Sequence, residues 1–128
     1  MKMTRHGDYE KIIRFPVWSN YDVHIIFTED IVKSRIGRYG TAGAAGSGQT
    51  GALHSCTEDG HSHLFYKPAA SAEIITHEAW HAIWAMFNWA GVTLWDNETT
   101  AYHIGWLVGH ITKFQARVLA VKSSTKKR

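Results

Sequence analysis

The chain has little cysteine, little proline, little net charge and no uninterrupted hydrophobic run. Its one cysteine, Cys56, has no second thiol to pair with, which excludes an internal disulfide framework and fits a reducing compartment. The longest apolar-rich region, around residues 79–95, is broken by His81, Asn88 and Gly91, so no membrane span is expected. No N-terminal stretch joins a basic segment, a continuous apolar run and a small-residue cleavage site. A secretory signal is therefore not expected, and a cytoplasmic location is. The formal charge is only +3, and part of it sits in a basic tail over 122–128 that reads as a solvated, frayed end. Nothing has the pattern of a zinc finger, a helix-turn-helix or an aromatic platform, so nucleic acid is not expected as a partner.

What is present points to one folded domain over 1–121. Hydrophobic residues make up 45% of the 128, and six tryptophans are among them, which argues for a packed body over disorder. Residues 1–20 give no clear element. Residues 22–28 are rich in strand formers, with Val23, Ile25 and Phe27 on one face. Thr28 is the expected cap of a short helix over about 29–36. Six glycines between 37 and 51 predict a flexible loop, a surface on which a protein partner could assemble. That loop is too short and too proline-free for collagen, and it lacks the Gly-Lys-Ser/Thr ending of a phosphate loop.

The segments 52–57 and 61–66 flank Glu58-Asp59-Gly60, a hairpin signal. A helix is expected over 72–89 with Ile75, Ala79, Ala82, Met86 and Trp89 or Ala90 inward, and Gly91 as its stop. Asp96 is the expected cap of a second helix over about 97–120, with Ile104, Val108, Ile111, Val118 and Leu119 inward. The expected fold class is α+β, with helices on one side of a small antiparallel sheet.

Nine histidines are many for this length, and two of them define the main site. In His77-Glu78-Ala79-Trp80-His81 the two imidazoles fall at i and i+4 of the first long helix, hence on one face. Such a pair can hold Zn²⁺ without bending the backbone. Glu78 beside them is the expected general base and acid, taking a proton from water and returning it to a leaving amine. A catalytic zinc site needs a third protein ligand. Glu98, in the first turn of the second helix where the dipole keeps a carboxylate ionised, is the expected one. A tight helical hairpin would instead bring residues near 102–105 level with His81, which makes His103 the alternative.

The pattern His77-Glu78-x-x-His81 followed by Asn97-Glu98 resembles the gluzincin group of zinc metallopeptidases. Glu98-x-x-Ala101 is also similar to the small ImmA/IrrE-type zincin domains. The compact run from His-Glu-Ala-x-His to Asp-x-Glu-x-x-Ala-Tyr resembles small zincin-like proteins encoded by bacteriophages. The resemblance covers roughly residues 60–110. It implies a minimal zincin fold with an active-site helix, a second ligand-bearing helix, and 61–66 as the edge strand along which an extended peptide or protein substrate adds. For a phage-encoded member it implies the host cytoplasm, or association with the virion. Many gluzincins carry an Asp four residues after the ligand Glu, and here that position is Tyr102. Tyr102 either donates to the tetrahedral oxyanion or packs.

The hairpin offers a rival. His54, Cys56, His61 and His63 would share one face, and form a closed zinc site, if its loop had two or four residues. A three-residue loop would split the pairs. Another option turns His61 or His63 into the cleft to steady the oxyanion. Trp80, Trp84, Trp95 and Trp106 are expected as core or cleft walls. The alternative to a peptidase is a non-catalytic, zinc-stabilised binding or assembly module, such as a phage morphogenesis factor or virion component.

Overall fold

In the computed structural model the described residues are 3–4, 7–15, 20–41, 51–57, 59–92 and 96–126. The elements in chain order are β1 (Tyr9–Arg14), β2 (Asp22–Phe27), α1 (Ile31–Tyr39), β3 (Ala52–Thr57), β4 (His61–Tyr66), α2 (Ala72–Trp89) and α3 (Asn97–Lys126). The fold is α+β, as expected, but the sheet is mixed. Its strand order is β1-β2-β4-β3, with β2 and β4 parallel and both outer pairings antiparallel. The expected all-antiparallel sheet is therefore corrected, and so is the edge: β3, not 61–66, lies at the rim. The long connection through α1 supplies the crossover that a parallel pairing needs.

Strand alternation sorts the residues into two layers. Val23, Ile25, Phe27, Leu64 and Tyr66 face α2 and α3, where they bury against Ile75, Ala79, Ala82, Ile83, Met86, Leu107, Ile111, Phe114 and Val118. Ile26 and Phe65 face the other way and pack on Ile31 of α1. The helices thus cover both faces, not one.

Local chemistry explains the element ends. Asp30, not Thr28, caps α1 by accepting from the Lys33 N–H at 3.0 Å, because the Thr28 hydroxyl is engaged with the Asp30 N–H and carbonyl in a local turn. The helix then runs to Tyr39 and takes in Gly37, with Gly40 as its left-handed stop. Of the expected flexible loop, residues 42–50 lie outside the described residues, as do Glu58, Trp95 and 127–128. Ser71 caps α2, accepting from the Ile74 N–H. Asp96 caps α3, with its carboxylate 2.6 Å from the Thr99 N–H.

Two inward assignments change. Trp89 is 41% and Leu119 42% exposed, whereas Leu107 and Phe114 are buried in their stead. The faces rotate because α3 meets β2 as well as α2. Helix α3 continues through Lys126, so most of the expected frayed tail is helical, and Lys122 pairs with Glu29. Among the described residues no helix is long and apolar enough to cross a membrane.

Candidate functional site

Helix α2 buries one stripe on the sheet and turns His77 and His81 outward, one turn apart, both exposed. Their Nε2 atoms stand 3.3 Å from each other. Two nitrogens held at 2.0–2.1 Å from one tetrahedral ion lie about 3.3–3.4 Å apart. The pair therefore has the bite of a zinc chelate.

Glu78 is half-buried between this pair and the edge strand. Burial pushes its carboxyl above the usual range, while the His81 and His77 rings and the His54 backbone N–H, which donates to it, act in the opposite sense. That hydrogen bond joins α2 to β3. A recess opens at the same corner, lined by Gly51, Ala52, Glu73, Ile74, His77 and Glu78.

His54 contributes its ring as well. It lies nearly parallel to His81, with centroids 6.0 Å apart. Its Nε2 is 2.9 Å from Ser62 Oγ, which is 2.6 Å from the buried Tyr21 hydroxyl. Burial first, and then the neighbouring His81, hold His54 down at about 4. Sequence reasoning did not connect Tyr21, Ser62 and the His54 backbone to this corner. Their link depends on the pairing of β2 with β4 and on the packing of α2 against β3, which no local pattern encodes.

The expected third ligands lie elsewhere. The helical hairpin is tight: Gln115 Nε2 donates to the carbonyls of Pro68 and Ala70 at 3.0 and 2.8 Å, and His103 packs edge-on against Phe87 at 5.1 Å. These contacts set residue 115 level with the start of α2 and residue 103 level with its end. Glu98, a full turn before His103 in α3, therefore lies toward the C-terminal end of α2, past His81. Glu98 lines a separate recess with Ala101, Tyr102, Gly105 and Trp106, and Tyr102 is 73% exposed there. His103 turns inward, stacked on Phe15 with Nδ1 donating to the Thr99 carbonyl at 2.8 Å. Neither joins His77 and His81. Among the described residues no three His, Cys, Asp or Glu side chains converge on one ion position. The donor pair fits zinc, and the expected three-ligand set is not assembled.

The hairpin cluster divides. Thr57 pairs with His61 and Ser55 with His63, a three-residue connection that places His54 and Cys56 on the α2 face. His61 and His63 go to the α1 face. The reading of His61 or His63 as a cleft residue is corrected with it. Trp80 and Trp84, at 36% and 52% exposure, are surface residues and not core. Compared with known proteins, the chain matches no protein-family model, no curated protein and no solved structure.

Proposed function

We propose that the chain is a zinc-dependent peptidase of small zincin type, with His77 and His81 as metal ligands and Glu78 as general base and acid. The observation that carries this reading is the 3.3 Å separation of the two Nε2 atoms beside a half-buried carboxylate. Zinc, when bound, would polarise a scissile carbonyl and acidify water. The raised affinity of Glu78 for a proton suits it to accept one from the attacking water and give it to the leaving nitrogen. The His54 N–H holds the Glu78 carboxylate in place for both transfers. An extended peptide would add to the open rim of β3, whose start borders the recess with His77 and Glu78. On this reading Glu98 serves as third ligand only if α3 slides along α2, and Tyr102 reaches the oxyanion only by the same movement.

That separation of Glu98 from the histidine pair favours the second reading, a zinc-stabilised assembly module without catalysis. A phage morphogenesis or virion role belongs to it. Incubating the full chain with casein or a peptide library, with zinc and with chelator, tells the two apart. Chelator-sensitive cleavage is the expected result. Zinc-dependent melting without cleavage would transfer the assignment to the assembly module.

A further inference from the structure

The sheet face opposite His77 and His81 gathers three more histidines. Parallel pairing of β2 with β4 sets Asp22 opposite His61 and His24 opposite His63, and strand alternation turns all four side chains toward the α1 side. Glu10 reaches the same patch from β1. Its Oε1 is 2.8 Å from His24 Nδ1, and Arg38 from α1 holds its other oxygen at 2.5 Å.

A carboxylate only accepts, so His24 Nδ1 carries the proton and donates. The lone pair of His24 is then on Nε2, which faces His61 Nδ1 at 3.2 Å. This repeats the spacing found at His77 and His81, here with a carboxylate behind one ring. A carboxylate fixing the tautomer of an imidazole is the usual outer partner of a metal-ligating histidine. Asp22 Oδ2 lies 4.0 Å from His61 Nδ1, its carboxylate held from the other side by Arg14 at 2.7 and 3.2 Å. The side chains of His24 and His61 are 14% and 34% exposed, so an ion can enter from solvent.

We propose that His24 Nε2 and His61 Nδ1 form a second binding site, for an imidazole-preferring divalent ion such as zinc. Glu10 positions His24. The site is independent of the peptidase reading, since none of its residues lies on α2 or on the α2 face of the sheet. The ordinary competitor is a proton shared between the two rings, with His61 Nδ1–H donating to His24 Nε2.

The test uses the full chain carrying both His77→Ala and His81→Ala, freed of metal and titrated with zinc by calorimetry. One remaining site per chain is expected. Adding His61→Ala should remove it, and Glu10→Gln should weaken it about 10–100-fold. Imidazole NMR on the double variant serves as a second readout that needs no change in the patch. Zinc should move the ring signals of His24 and His61. No zinc uptake by the double variant, or uptake that leaves both ring signals in place, would overturn the proposal and assign the 3.2 Å contact to a shared proton.

Discussion

The carboxylate of Glu78 accepts a hydrogen bond from the backbone N–H of His54, so the helix bearing the candidate chemistry is tied directly to the rim strand of the sheet. On the proposed reading, a strand that anchors the base and has no further partner strand among the described residues would couple substrate placement to proton transfer.

The first prediction concerns that base. Glu78→Gln keeps the side-chain length and the contact with the His54 N–H but removes proton affinity. Hydrolysis should fall roughly 100- to 10,000-fold, the range that general acid–base groups supply. Zinc content should stay at the wild-type level, because His77 and His81 are untouched. Peptide cleavage assayed alongside elemental analysis checks both halves, and undiminished cleavage would remove Glu78 from the mechanism.

A second prediction addresses the turn between β3 and β4. Gly60 has φ of +87°, and a Cβ there would meet the Asn20 carbonyl oxygen at 2.8 Å and the Trp89 ring at 3.1 Å. The Gly60 carbonyl also accepts from the Asp22 N–H at 3.0 Å, so the turn cannot withdraw without breaking the lead into β2. Gly60→Ala should destabilise the fold by about 2–3 kcal/mol through left-handed strain plus the clash. Urea denaturation reads it directly. A loss under about 0.5 kcal/mol would mean the turn relaxes freely.

A third prediction probes the buried chain behind His54. Tyr21 is 1% exposed, and its hydroxyl meets Ser62 Oγ, which in turn meets His54 Nε2. Tyr21→Phe leaves Ser62 with one partner and should cost about 0.5–1.5 kcal/mol. Because Ser62 and His54 stay bonded, zinc binding at His77 and His81 should change little. A large loss of zinc affinity without a loss of stability would show the chain to steer the metal site itself.

The sequence made some of this plain and hid the rest for physical reasons. Helix α2 and the cap of α3 were legible because period, Asp96 and Gly91 are local signals. The split of His54 and Cys56 from His61 and His63 followed from the three-residue loop as soon as that length was known. The parallel pairing of β2 with β4 was not legible, since strands 34 residues apart in the chain have no shared local signal. Strand β1 was hidden because Glu10, Lys11 and Arg14 blur its alternation. Glu98 was misplaced because the register of α2 against α3 depends on tertiary contacts, Gln115 to Pro68 and Ala70 above all.

The last prediction is the acid response of the folded chain without metal. Burial, then the nearby rings and cations of His24, Arg38 and His61, press His63 down to about 3 against the pull of Glu10; Tyr39 closes its other side. His54 sits at about 4 for the reasons given above. Between those values and about 6.5 the unfolded chain binds protons that the native chain refuses. Stability therefore rises with pH across this window, is complete above about 6.5, and is lost on acidification. Glu10 has the same sign by another route. Burial alone would raise it, but His24 and Arg38 outweigh burial and bring it to about 2. Its contribution is present above about 4.5 and fades as pH falls toward 2. His63 alone should remove roughly 2 kcal/mol by pH 4 after allowance for its partial exposure. Urea midpoints in chelator at pH 7.5, 5.5 and 4 should fall steadily, and His63→Gln should flatten the slope above pH 4. Equal midpoints at pH 7.5 and 4 would mean that these rings take up protons in the folded chain at no cost to its stability.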